Sequence, residues 1–249
     1  MLGATRPARI TAGMMKDLLE KIFQLGPKYL NDFLGLVQQP KRFAVAHATT
    51  HPLPIEDALV FLTISYLLGW IIKVSFSRSS PVQLGVEFGE EGAVVLGEIL
   101  AYGAAICLAW RAVQGRATLP TFFVVHFYYS GIFLMIMALW FLFLMGICRA
   151  FDPALYAGVL KAACGGAMQS FVEQEADQIF QSPAIVPMLL AIFAGMAALT
   201  TWCFAGWGAY REVNRLSRFR SAIAAMIFIV LWFPITATFF YIANGIVSC

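Results

Sequence analysis

Charge is the property that this chain has least of. Of its 249 residues, only 12% are Asp, Glu, Lys or Arg, whereas an ordinary soluble domain carries about a quarter. Hydrophobic residues make up 60% of the chain, and the mean hydropathy is +0.77. These proportions exclude an ordinary soluble globular domain and indicate an integral membrane protein.

Sequence motifs of catalysis are also missing. The chain has no HExxH, GxSxG, CxxC or P-loop pattern. His47 and His51 have a spacing that could bind a metal on a helix, but Pro52 and Pro54 disfavour a helix there. We therefore predict a protein that is not an enzyme, without catalytic, cofactor-binding or metal-ligating residues.

Five apolar runs are long enough to cross a bilayer. A spanning helix needs about 20 mostly apolar residues, because it pairs its own backbone groups across ~30 Å of hydrocarbon. We predict an all-α integral membrane protein with five transmembrane helices, preceded by an amphipathic cytoplasmic interfacial helix. The predicted spans are residues 57–76, 92–113, 121–148, 184–210 and 221–246.

The remaining chain divides around these spans. Residues 1–13 are predicted to be a flexible leader, and residues 14–56 to form cytoplasmic amphipathic helices and a connector. Residues 57–249 form the five-span domain, with an external loop at 149–183. Apolar side chains at helical spacing predict helices on the cytoplasmic membrane surface; they are Leu18, Leu19, Ile22, Phe23, Tyr29, Leu30, Phe33 and Leu34.

The distribution of basic residues predicts the orientation. Thirteen of the seventeen lysines and arginines precede the first span or lie in the second and fourth loops. Because cytoplasmic segments are enriched in Lys and Arg, this distribution places the N-terminus in the cytoplasm. With five spans, the C-terminus at Cys249 then lies outside.

The fourth loop is the most basic one. Arg211, Arg215, Arg218 and Arg220 should fix the topology at the cytoplasmic face and contact anionic lipid headgroups, at ~1 kcal/mol per basic residue. The alternative is a docking patch for an acidic partner.

Three ionisable residues fall within the predicted spans. Lys73 and Glu98 have similar predicted depths on consecutive antiparallel spans, which favours an ion pair between them. Alternatively, Lys73 extends to the interface while Glu98 is protonated or hydrogen-bonded in the bundle. His126 is expected to be a satisfied interfacial group rather than a proton relay.

Cysteines and glycines suggest further contacts. A disulfide between Cys164 and Cys249 would join the external loop to the chain end in an oxidising compartment, with free thiols as the alternative. Small residues in the second and fourth spans predict close approach of helices. They include Gly97, Gly103, Gly195, Gly206 and Gly208.

Two segments carry a resemblance to a known family. The stretch LGLVQQPKRFA before the first span, with Pro40, Lys41, Arg42 and Phe43, and the stretch AYREVNRLSRFRSAIAAM before the last resemble the bacterial branch of the Yip family. Its eukaryotic relatives bind prenylated Rab GTPases, but their DLYGP-like motif and long N-terminal domain are missing here, so GTPase binding is not carried over. The resemblance implies a small multi-pass protein of the bacterial inner membrane.

Together these features predict a non-enzymatic accessory, scaffold or assembly subunit. Its partners would be membrane lipids and other integral membrane proteins or further copies of itself, contacted through the second and fourth spans and the basic cytoplasmic surface; nucleic acid is not expected. The alternative is a small-molecule or lipid transporter that acts as an oligomer, with Glu98 and His126 along its route.

Overall fold

The computed structural model describes residues 25–75, 81–164, 173 and 176–246. The predicted leader lies outside the described residues. Among those described there are helices and no strand, and five helices are long and apolar enough to cross a membrane. The predicted all-α, five-span fold class is therefore confirmed. The helices are α1 (25–38), α2 (Pro40–Thr49), α3 (Ile55–Val74), α4 (Pro81–Ala112), α5 (Leu119–Phe151), α6 (Pro153–Cys164), α7 (Ala176–Gln181), α8 (Ile185–Asn214) and α9 (Arg218–Ile246).

Helix boundaries follow local backbone chemistry more closely than hydropathy. Pro40 begins α2, at a position where the missing N–H would have no helical partner. At the end of α8, Arg215 adopts a left-handed conformation (φ 52°), and the N–H of Leu216 donates to the carbonyl of Arg211 at 3.1 Å. This reversal separates α8 from α9 by only three residues.

Part of the predicted connector is helical. His47 lies in the last turn of α2, whereas His51 lies beyond the end of that helix. His47 and His51 therefore do not share a helix, as Pro52 and Pro54 led us to expect, although the helix reaches as far as Thr49.

Helix α5 is the centre of the bundle. Helices α3, α4 and α8 pack against it, while α9 packs mainly against α4 and less against α8. The short helix α2 lies against α8 and α5. The first half of α5 is accordingly rich in buried residues, with Phe122, Val124, Val125 and Tyr128 each 1% exposed or less.

The main core lies at one end of the bundle, which we call the packed end. The beginnings of α3, α5 and α9 meet the ends of α4 and α8 there, together with α1 and α2. Tyr29 of α1 stacks on Phe61 of α3 at 4.8 Å between ring centroids, and Phe43 of α2 meets Tyr128 edge-on at 4.9 Å. Helices α1 and α2 are therefore part of the fold at this end.

Helix α1 is apolar on two sides. Tyr29 and Leu36 are buried against the bundle, whereas Leu30 and Leu34 on the other side are 59% and 53% exposed. One set of its apolar side chains thus packs against the bundle, and another set is exposed. A helix that only lies on a membrane surface would not have the first set of contacts.

The glycines of α4 and α8 are used inside the molecule. A Cβ on Gly103 would lie 2.9 Å from the ring of His126, and one on Gly195 would lie 2.5 Å from the indole of Trp140. Both contacts join a spanning helix to α5. The predicted close approach of helices thus occurs within this chain at these positions, rather than against a partner.

Candidate functional site

His126 is the junction of three helices in the packed end. Its Nε2 lies 2.8 Å from the carbonyl oxygen of Ile99 in α4, and its Nδ1 lies 3.1 Å from the hydroxyl of Tyr210 in α8. A carbonyl can only accept, so Nε2 carries the proton, and in the neutral ring Nδ1 accepts from the tyrosine. The side chain is buried, and both of its nitrogens are engaged in holding α4, α5 and α8 together.

An aromatic shell surrounds the Tyr210 end of this junction. Phe122 stacks on Tyr210 at 6.0 Å, and the rings of Trp110 and Tyr129 lie 5.6 and 6.1 Å away. Within the described part of the chain, the Tyr129 hydroxyl and the Trp110 indole N–H are buried without a hydrogen-bond partner. Each such group costs about 1–3 kcal/mol of stability.

Asn214, which the sequence interpretation missed, joins the end of α8 to the loop at residues 113–118. Its Oδ1 accepts from the N–H of Ala117 at 3.2 Å, and its Nδ2 donates to the carbonyl of Tyr210 at 2.8 Å. A Cβ on Gly115 would lie 2.6 Å from the Asn214 oxygen, so only glycine fits there. An asparagine at the end of an apolar helix, just before a basic loop, was the available signal.

The four arginines of the fourth loop have different surroundings. Arg211 is half-buried, pairs with Glu212 at 2.8 Å and lies 6.0 Å from the ring of Trp207. Arg215, Arg218 and Arg220 are exposed. Arg211 is therefore a structural residue of α8, and the other three are available to a partner.

The predicted pair between Lys73 and Glu98 is replaced by a different one. The ammonium of Lys73 lies 2.6 Å from the carboxylate of Glu91. The prediction was wrong because the second span was placed to begin at residue 92, whereas α4 already begins at Pro81 and carries Glu91. Glu98 lies seven residues further along the helix, or about 10 Å deeper.

Glu98 instead belongs to a polar contact between α4 and α9. The hydroxyl of Tyr102 donates to the Glu98 carboxylate at 2.7 Å and lies 2.8 Å from the Thr236 hydroxyl of α9. Such contacts are worth about 0.6 kcal/mol on average between membrane helices. This cluster fixes α9 against α4, on a different helix interface from His126.

A second polar group borders a shallow depression between α1 and α3. Lys28 pairs with Asp57, and Asp32 lies beside them. Burial raises the pKa of Asp32, and the nearby His47 and Lys28 oppose this rise. The depression is lined by residues of α1 and α3, so its side chains belong to the contact between these two helices.

Asp152 closes the predicted external loop. It accepts from the N–H of Leu155 at 2.9 Å at the start of α6 and from the Ser182 hydroxyl at 2.6 Å just before α8. These two donors, the Leu155 N–H first, hold the pKa of Asp152 below its usual range. The contact is thus kept at pH values above the ordinary pKa of Asp. It is lost as the pH falls through the lowered pKa of Asp152. The sequence Asp152-Pro153, a cap residue before a helix-starting proline, was the available signal.

The predicted disulfide lies outside what the structure describes. Cys249 and the side chain of Cys164 are not among the described residues. Cys107, Cys148 and Cys203 are free thiols, and Cys148 lies 3.4 Å from the sulfur of Met188.

Comparison of the chain with protein-family models, curated proteins and solved structures finds no match. The resemblance to the bacterial Yip branch therefore stays a prediction. Within the described ranges, no group of three or more His, Cys, Asp or Glu is placed to hold a metal ion.

Proposed function

We propose that this protein is a non-enzymatic accessory or assembly subunit that binds another integral membrane protein through α8 and α9. The observation that carries the proposal is the poor burial of these two helices. Only 6% of the most apolar 18-residue stretch of each of these helices is buried in the molecule. The buried share of the corresponding stretches of α3, α4 and α5 is 22–33%. These two spanning helices thus offer more of their apolar surface to their surroundings than the other three do.

The exposed surface of α9 has a pattern suited to a partner helix. Met226, Val230, Phe233 and Phe240 are 64–69% exposed and recur at spacings of four, three and seven residues. This spacing follows the seam along which one helix packs on another. On α8, Phe193 and Phe204 are 70% and 64% exposed. Large aromatic side chains are enriched at protein interfaces, which supports a protein partner.

We infer an orientation with the packed end in the cytoplasm of a bacterial inner membrane. Exposed basic residues support it, because Lys41, Arg42 and the arginines near the loops at residues 113–118 and 215–217 lie at the packed end. At the opposite end, Arg149 and Lys161 are exposed, while Lys73 is paired with Glu91. A fluorescent reporter fused to the N-terminus should fold inside the cell; fluorescence absent at normal expression would contradict the orientation.

The partner proposal is tested by purification from the native membrane. The tagged chain should co-purify with one membrane protein at a fixed stoichiometry in mild detergent. A variant with Phe204→Ala and Phe233→Ala should lose that protein while keeping its own expression and thermal stability. The control is Ile71→Ala with Leu108→Ala, which removes apolar groups that are 56% and 64% exposed from α3 and α4. Retention of the partner by the α8–α9 variant would contradict the proposal.

The transporter alternative has weaker support. It required Glu98 and His126 along one route, but His126 lies between α4, α5 and α8, whereas Glu98 and Tyr102 face α9. A homogeneous homo-oligomer without another protein would nevertheless favour it over the accessory role.

A further inference from the structure

Two loops at the packed end are bound to each other. Asn214 at the end of α8 accepts from the N–H of Ala117 in the loop at 113–118. Near the start of α9, Arg220 donates to the Gln114 side chain at 3.1 Å. The loops at 113–118 and 215–217 therefore present a single surface, although about a hundred residues separate them in the chain.

This surface collects arginines from both loops and from the adjoining ends of α4 and α9, and we call the set the arginine patch. Its five members are exposed, and none makes an ion pair with any residue that the structure describes. The neighbouring acid, Glu212, is occupied by Arg211. The patch thus has an uncompensated positive charge. It consists of Arg111, Arg116, Arg215, Arg218 and Arg220.

The patch lies beside the ends of four of the helices that are long and apolar enough to span a membrane. Helix α4 ends at Ala112, α5 begins at Leu119, α8 ends at Asn214 and α9 begins at Arg218. Every arginine of the patch is within four residues of one of these ends, a distance of about 6 Å along a helix. The headgroup layer outside the ~30 Å hydrocarbon core has a similar thickness.

Apolar side chains accompany the charges. Phe219, between Arg218 and Arg220, is 76% exposed, and Leu119 at the start of α5 is 44% exposed. Aromatic and apolar groups beside cations suit a bilayer interface, where phosphates lie directly above acyl chains. An acidic segment of a soluble protein would match the charges but would leave these apolar groups without a partner.

We propose that the arginine patch binds the phosphate headgroups of anionic phospholipids in the leaflet at the packed end. A guanidinium can donate two hydrogen bonds to one phosphate, so several arginines on two joined loops can hold a headgroup from more than one direction. This binding is independent of the partner proposed for α8 and α9.

The test measures lipid selectivity in a defined bilayer. The full chain is reconstituted into phosphatidylcholine vesicles, and the association of spin-labelled phosphatidylglycerol is compared with that of spin-labelled phosphatidylcholine. The wild-type chain should prefer phosphatidylglycerol, and the preference should fall with added salt. Arg116→Gln with Arg218→Gln should remove most of this preference, and this pair leaves the Arg220–Gln114 bond and the Arg215 turn intact.

The control variant removes the same charge from the other end of the bundle. Arg149→Gln with Lys161→Gln takes away two exposed cations near the end of α5 and in α6, and it should keep the preference. Replacing Arg116 and Arg218 by Lys should also retain most of it. Equal loss in both Gln variants, or no preference in the wild-type chain, would overturn the proposal. Binding of an acidic peptide without lipid selectivity would overturn it in favour of a protein partner.

Discussion

Tyr210 and Tyr129 are neighbours in the packed end, and their hydroxyl groups differ in hydrogen bonding. The hydroxyl of Tyr210 donates to His126, whereas that of Tyr129 is buried without a partner among the described residues. Both rings pack in the same aromatic shell, at 6.1 Å from each other. Replacing each tyrosine by phenylalanine therefore compares the contribution of a bonded hydroxyl to stability with that of an unpaired hydroxyl, in the same aromatic surroundings.

Removing the hydroxyl of Tyr210 should destabilise the protein, whereas removing that of Tyr129 should not. Tyr210→Phe should lower the free energy of unfolding by about 1 kcal/mol, because it breaks the bond to His126 and leaves a ring nitrogen unpaired. Tyr129→Phe should leave it unchanged or raise it by about 1 kcal/mol, because it removes a buried unpaired group. Unfolding of both variants in the same detergent measures this; equal destabilisation would show that the His126 junction is not as described.

Sequence reasoning found some residues of this site and missed others for physical reasons. His126 was identifiable because an ionisable residue in an apolar run is unusual, and its expected role as a satisfied group agrees with its two hydrogen bonds. Asn214 and Tyr210 were not identified, since their partners lie on α4, α5 and the loop between them. Lys73 was paired with Glu98 because depth was counted from a helix start that was about three turns too late.

At the scale of helices, the contact between α5 and α8 depends on Gly195. Trp140 of α5 lies against it, at a separation that leaves no space for a methyl group. Gly146 lies on α5, the helix of Trp140, and no described atom lies within 4 Å of the position that its Cβ would take. These two glycines form a matched pair on the same bundle.

Adding one methyl group should therefore have different effects at the two sites. Gly195→Ala should destabilise the protein by about 1–3 kcal/mol, because α8 or the Trp140 side chain must shift. Gly146→Ala should be neutral or slightly stabilising, since alanine favours a helix. Thermal unfolding in one detergent compares them. If Gly195→Ala were as stable as Gly146→Ala, the α5–α8 contact would be looser than described.

Helix existence was predictable, whereas helix ends and helix neighbours were not. Hydropathy alone located five spans, because only long apolar helices satisfy their backbone groups in lipid. The ends depend on polar signals such as Asp152-Pro153 and the left-handed Arg215, which hydropathy does not register. The order of packing around α5 depends on interhelical contacts and therefore could not be predicted from one sequence.

At the scale of the whole molecule, the two ends of the bundle are built differently. The packed end holds the buried core, the His126 junction and the arginine patch. Toward the other end, α8 and α9 expose large apolar side chains such as Phe193, Phe233 and Phe240. This open apolar flank is the surface on which we propose that another membrane protein packs.

Site-specific photocrosslinking in the native membrane tests this central claim most directly. A photoreactive phenylalanine analogue replaces Phe204 on α8, Phe233 on α9 or, as the control, Ile71 on α3. We expect an adduct with one membrane protein of defined mass from the α8 and α9 positions and none from Ile71. The absence of any protein adduct at Phe204 and Phe233, or an adduct only with a second copy of this chain, would contradict the accessory-subunit account.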